Sequence, residues 1–339
     1  MKLVALFLCL MALSAASLPQ SSRLAASKKL IHRINHRQGT WEASGDFLAN
    51  TPWAQIKMMA NDTKATPMKR LMKLSGQRKA LASLGDQEEI PEEFDARKQW
   101  GDICPSISKV PDQGFCGSGW AVSAAAAFSD RYCIATGGEQ KESLSAAHVL
   151  YCEEILKAKC EGGFDLLAWE HIIFSGVPTG GAFDSKEGCE PYNIPPYMDT
   201  DEVPAGSDEC VSECTNVDYK KSLKDDLKYG KDLNVFIWDE EGLQLDILQN
   251  GPATVFLGIH LDFLFYESGV YDVIEDELNF QLGGHSAKVI GWGVEDDTPY
   301  WLVQNSWSEG FGDKGLIKIK RGSNIWISAF SALADVKSA

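Results

Sequence analysis

Residues 112–134 read DQGFCGSGWAVSAAAAFSDRYCI, and this stretch decides the fold. Its first part is rich in glycine and reads as a loop. From Gly119 to Ile134 good helix formers take over, with an alanine run at Ala124–Ala127. Further along the chain the pattern changes to short β-type runs: Ala253–Leu257, Ala287–Ile290, Tyr300–Val303 and Leu316–Lys320. Glycine and aspartate clusters, such as Glu295-Asp296-Asp297 and Gly310–Gly315, separate them. Helices first and strands later predict an α+β chain with two lobes, whose intervening cleft is the default site.

The chain has 339 residues, 44% of them hydrophobic, too many and too apolar for a mini-protein or a disordered chain. Its formal net charge is −16, which excludes phosphate backbones as natural partners, so no nucleic acid is expected. The charge is uneven: Ser17 through Glu89 carry a net +6, and Ile90 to the end −23. A basic segment before a strongly acidic one suggests an N-terminal piece that docks on the rest.

At the N-terminus, Lys2 precedes an apolar run from Leu3 to Leu13 and the small residues Ser14–Ser17. That is the layout of a secretory signal peptide, assigned to 1–17. The run is too short to span a bilayer and no later stretch is long enough, so no membrane anchor is expected. The expected destination is the extracellular space or the lysosome. Eight cysteines follow the signal, an even set that reads as disulfides in a secreted chain. Zinc ligation competes, but CxxC pairs and histidine pairs at ligand spacing are lacking, so no metal and no cofactor is expected. Eight cysteines allow about a hundred pairings, and if all pair no thiol is left for chemistry. Residues 18–89 contain none of these cysteines. They hold a helical stripe of Leu24, Ile31 and Ile34 with Leu30 beside it, and one glycosylation acceptor, Asn61.

Three segments carry chemistry: Asp112–Trp120, Gly283-Gly284-His285-Ser286 and Gln304-Asn305-Ser306-Trp307. Together they resemble the papain-type cysteine peptidases of the cathepsin B kind, in which the first segment reads DQGxCGSCW. The resemblance implies a papain-like fold, with a helical left lobe (roughly 102–220), a β-barrel-like right lobe (roughly 221–335) and a prosegment over 18–89 ahead of a domain spanning 90–339. Thr40–Phe47 looks like the family's TWxAGxNF prosegment stretch, and Phe94–Trp100 like the start of its mature enzyme. By matched positions the resemblance also implies the disulfides Cys104–Cys133, Cys116–Cys160, Cys152–Cys210 and Cys189–Cys214.

Carried over by position, Gln113 is the oxyanion donor, His285 the base and Asn305 its orienter, with Trp307 shielding their contact. Gly162, Gly163 and Gly284 line the substrate cleft, and Ser331 takes the place of the acidic residue at the base of the main specificity pocket. The nucleophile position falls on Gly119, which has no side chain to attack a carbonyl. Ser118 should point away from His285, and Ser123 should pack or bond back to its helix. The loop stretch Pro196–Asp201 lacks the two histidines that hold a substrate C-terminus in the family. The expectation is a secreted or lysosomal cathepsin B-like homologue that has lost proteolysis. It keeps a cleft for peptides or unfolded protein, for cystatin-type inhibitors or for its own prosegment. The alternative is an active cysteine endopeptidase of protein catabolism, with Gly119 an artefact or a variant allele. Of the other histidines, His32 and His36 belong to the prosegment and His148 and His171 are expected on helix surfaces, none of them as ligands.

Overall fold

The computed structural model describes residues 20–37, 39–51, 53–60, 89–157, 159–196 and 209–336. The signal peptide, Asn61, the side chain of Leu24 and residues 197–201 of the loop stretch lie outside the described residues.

The N-terminal segment opens with helix α1 (Gln20–His36), followed by strand β1 (Trp41–Ala43) and helices α2 (Asp46–Asn50) and α3 (Trp53–Met59). The acidic part begins with β2 (Phe94–Asp95) and α4 (Ala96–Trp100), the latter capped by the Asp95 carboxylate accepting the Arg97 N–H. Helix α5 (Gly119–Ala135) follows, then α6 (Ala146–Cys152) and α7 (Asp165–Phe174). Next come α8 (Leu223–Asp226), β3 (Gly230–Phe236) and α9 (Glu240–Asn250), which ends at Gly251 with φ 98°, a conformation that favours glycine. The strands β4 (Ala253–His260), β5 (Tyr266–Tyr271), β6 (Gln281–Glu295), β7 (Thr298–Gln304), β8 (Leu316–Lys320) and β9 (Trp326–Ala334) complete the chain. All four β runs expected from the sequence lie in strands, and the alanine-rich segment is α5.

The sheet runs β1-β5-β8-β7-β6-β4-β9-β3, with β2 paired to β6. Mixed helices and this sheet form the α+β, two-lobe, papain-like fold. One buried core joins the sheet interior (Val255, Leu257, Val289, Trp301) to the N-terminal segment, whose Leu30, Ile34, Trp41, Phe47, Ile56 and Met59 are all buried in it. The other holds Trp120, Phe128, Leu150, Leu166 and Trp169 of the helices with Phe256 and Phe330 from the sheet. Two buried ion pairs tie α5 across the lobes, Asp130 to Lys288 on β6 at 2.7 Å and Arg131 to Asp246 on α9. Burial raises Asp130 above the usual carboxylate range even with the Lys288 ammonium beside it.

All four disulfides inferred from matched positions are formed: Cys104–Cys133, Cys116–Cys160, Cys152–Cys210 and Cys189–Cys214. His148 and His171 are not on helix surfaces. Both are buried, and His148 Nδ1 lies 2.7 Å from Glu190 Oε2 with the His171 ring 5.6 Å away. An acidic partner 42 residues along the chain makes this burial possible, and no local pattern reveals it.

Candidate active site

The end of β6 and the segment after β7 bring His285, Asn305 and Trp307 together. His285 Nε2 lies 2.7 Å from Asn305 Oδ1, and the Trp307 ring lies 4.7 Å from the imidazole; all three residues are buried. Asn305 Oδ1 also accepts the Ser306 backbone N–H at 2.8 Å, which identifies that atom as the oxygen. In the neutral ring Nε2 therefore carries the proton and Nδ1 is the basic atom.

Gln113 is fully buried beside them. Its Nε2 donates to Cys116 O at 2.8 Å, its Oε1 accepts the Ser306 hydroxyl at 2.6 Å, and its backbone N–H donates to Ser306 O at 2.9 Å. Ser306, which the sequence reading did not single out, thus fixes the amide of Gln113 while its neighbours hold the imidazole. The only signal was its place between Asn305 and Trp307.

On the helical side Gly119 is the first residue of α5. Ser118 does point elsewhere: its hydroxyl bonds to Tyr192 OH at 2.7 Å, and Tyr192 OH donates to Gln113 O at 3.0 Å. Burial pushes the Tyr192 phenol far above its ordinary value, so it remains a neutral donor. The Ser123 hydroxyl is buried one turn into α5 with no hydrogen-bond partner among the described residues.

Gly162 and Gly163 directly follow Glu161, which bridges to Gly117 two residues ahead of α5. Gly163 backs onto the Trp120 indole so closely that a Cβ would come within 2.3 Å of it. At Gly117 a Cβ would meet Cys160 O at 2.6 Å, Met58 O at 2.9 Å and Gly162 N at 3.1 Å. The N-terminal segment therefore passes with its Met58 backbone against Gly117, and Met59 and Ala60 are buried in the sheet-side core. Gly284 sits on β6 opposite Gly258.

Ser331 lies on β9 where that strand meets β3. It pairs with Asn234 on β3, is fully buried, and donates from Oγ to Asp246 Oδ2 at 2.8 Å. Side chains alternate along β9. Ala329 packs in the sheet-side core, so Ser331 shares its face, away from the helical lobe. Phe330 packs with the helices, so Ser328, two residues before it, shares the helix-facing side. Ser328 pairs with Phe256, which pairs with Ser286 beside His285. The Ser328 hydroxyl is buried without a partner among the described residues.

The docking of the N-terminal segment is built from three kinds of contact. Strand β1 pairs antiparallel with β5. Trp41 enters a slot lined by Tyr266 and Tyr271, with Nε1 donating to Asp272 O at 3.0 Å, and Phe47 stacks on Trp307 at 5.7 Å. Arg33 donates to both Asp276 oxygens at 2.8 and 3.0 Å, and Arg37 to Asp276 Oδ2 at 3.2 Å. Burial pushes the Asp276 carboxyl up, but the Leu278 N–H and the Arg33 guanidinium outweigh it and leave the group below the usual carboxylate range.

A buried imidazole oriented by an asparagine, beside a glutamine amide bonded to the loop ahead of α5, is the arrangement expected of a papain-type protein. Residues 90–334 match the profile of the papain family cysteine proteases, and the chain belongs to that family. It is similar to "Cathepsin B-like cysteine proteinase 4" of Caenorhabditis elegans, 38% identical over 248 residues, which are 70% of this chain and 73% of that one. It is also similar to a "Cathepsin B-like cysteine proteinase" of Schistosoma japonicum, 36% identical over 306 residues, 87% and 86% of the two chains. Among solved structures, proCathepsin B S9 from Trypanosoma congolense superposes with a TM-score of 0.75 at 30% identity, covering 91% of this chain and 98% of that one. The likeness to this procathepsin supports association of the N-terminal segment, α1 to α3 with β1, as the chain's own prosegment. Among the described residues no helix is long and apolar enough to cross a membrane.

Proposed function

We propose that this chain is a secreted or lysosomal cathepsin B-like protein that binds peptides or protein inhibitors in its cleft but no longer cleaves peptide bonds. One observation carries the reading: the first residue of α5, where the family places its thiol, is Gly119. Every cysteine among the described residues is in a disulfide, so no other thiol can take over. Gln113 keeps a second amide hydrogen for a substrate carbonyl oxygen, and His285 keeps its basic Nδ1. Without an attacking sulfur, these groups bind and polarise a peptide but form no acyl intermediate. The chain also cannot remove its own prosegment, so a second protease must clear residues 18–89 before the cleft opens. Glycosylation at Asn61 and a cystatin-type inhibitor as partner belong to the same reading.

The intact His285–Asn305 pair favours a second reading, an active endopeptidase in which Gly119 is a variant allele. The test takes the secreted protein, removes its prosegment with an added protease, removes that protease, and assays fluorogenic dipeptide substrates beside the Gly119→Cys variant. Turnover by the variant alone supports the pseudoenzyme. Turnover by the Gly119 protein at a comparable rate overturns it.

A further inference from the structure

Helix α1 carries His32 and His36 one turn apart, both exposed, with ring centroids 3.8 Å apart and planes tilted by 37°. His36 Nδ1 lies 3.0 Å from the His32 carbonyl oxygen. A carbonyl only accepts, so Nδ1 carries the hydrogen, and in the neutral ring the lone pair sits on Nε2 at the outer end. Histidines that hold a metal through one ring nitrogen usually donate the other to a carbonyl or carboxylate, which fixes the ring and the tautomer. An i, i+4 spacing on one helix face is also the spacing at which two imidazoles share a zinc ion. The nearest arginines are turned elsewhere, Arg33 onto Asp276 and Arg37 onto Asp276 and the Glu275 carbonyl. Lys28, one turn before His32, adds like charge, and no group of three potential ligands exists among the described residues. The site is therefore open and exchangeable, with water completing the coordination.

We propose that His32 and His36 form a two-imidazole site for a divalent transition-metal ion of the imidazole-preferring kind, copper, nickel or zinc. The bound ion bridges the last turns of α1 and so holds the prosegment more firmly. Asn35, between the two histidines, exchanges two 2.8 Å hydrogen bonds with Ala43, which links this end of α1 to the β1 strand that pairs with β5. This gives His32 and His36 the ligand role that the sequence reading denied them, and their i, i+4 spacing is a ligand-spaced histidine pair that the same reading overlooked.

The test titrates the full-length protein with Cu²⁺ against a chromogenic chelator. It uses pH at or above neutrality, because imidazole must be deprotonated to bind. One ion per chain is expected, with a two-nitrogen signature in its electron paramagnetic resonance spectrum. His32→Gln and His36→Gln should each weaken binding at least tenfold, while His260→Gln should leave it unchanged. Thermal unfolding of both variants checks that they remain folded. Affinity unchanged in both variants, or a spectrum indifferent to them, overturns the site. Added Zn²⁺ should also slow proteolytic cleavage between residues 37 and 60 several-fold in the parent chain and not in His36→Gln. Equal cleavage with and without metal overturns the bridging role.

Discussion

The two walls of the cleft have fared differently. On the sheet side the base is complete: His285 is held by Asn305, screened by Trp307, and backed by Ser306 and Gln113. On the helical side the first residue of α5 carries no side chain at all. The contrast follows from what each position does for the fold. Asn305 accepts the Ser306 N–H through its side chain and donates its own N–H to Gly315 O, and Trp307 lies in the sheet-side core with Phe263 and Phe311. Removing either leaves buried polar groups unpaired or a void. Glycine inside a helix costs at most about 1 kcal/mol relative to alanine, and Gly119 stands in the first turn. An intact base is therefore weak testimony for activity, because the fold would keep these residues without any selection for catalysis.

The sharpest test asks one residue for two readouts. In the Gly119→Cys background, His285→Ala should cut kcat by about 10⁴ or more. In the Gly119 protein, which on the proposed function has no turnover to lose, Asn305→Ala should lower stability by about 1–3 kcal/mol in chemical denaturation, through the orphaned Ser306 N–H and imidazole. A stability change near zero would mean the sheet-side residues are kept for something other than structure.

Trp41 tests the prosegment that covers both walls. Trp41→Ala empties the slot between Tyr266 and Tyr271 and should cost about 3–5 kcal/mol of full-chain stability. It should also open residues 37–60 to added protease. Unchanged protease resistance would show that the aromatic slot is not the main anchor.

His171 gives a pH test located in the helical lobe alone. Burial, with His148 beside it, lowers this imidazole to about 4. A depressed histidine binds its proton more readily in the unfolded chain, so stability falls as pH drops from the ordinary histidine value toward about 4 and is full above that window. The loss is up to about 3 kcal/mol at the acid end. His171→Leu should flatten the profile of thermal midpoint against pH over this range, and a variant with the parent's slope would place the acid sensitivity elsewhere.

The smallest effect concerns Gln55 on α3, fully buried with neither amide atom hydrogen-bonded among the described residues. Gln55→Leu should raise full-chain stability by about 1–2 kcal/mol by removing that desolvation cost. A loss instead would mean the amide is paired in solution.

Much of this was legible in the sequence where the signal is local. The alanine run gave α5, the short apolar runs gave β4, β6, β7 and β8, and the even set of eight cysteines pointed to disulfides. Long-range features were not legible. The tie of Ser331 to Asp246, 85 residues away in the chain, has no local signature in the sequence. His148 and His171 read as surface residues because Glu190 lies far along the chain. The basic-to-acidic charge switch foretold docking, but not that it would be made by adding a strand.

That added strand has a consequence for solubility. β5 pairs with β8 on one side and with β1 on the other, so the prosegment closes what would otherwise be the outer border of the sheet. Cutting it away would leave a row of unpaired amides and carbonyls flanked by Tyr266 and Tyr271, a template for another chain's strand. A retained prosegment therefore does for the sheet what a covering helix does elsewhere: it keeps the border strand paired within its own chain.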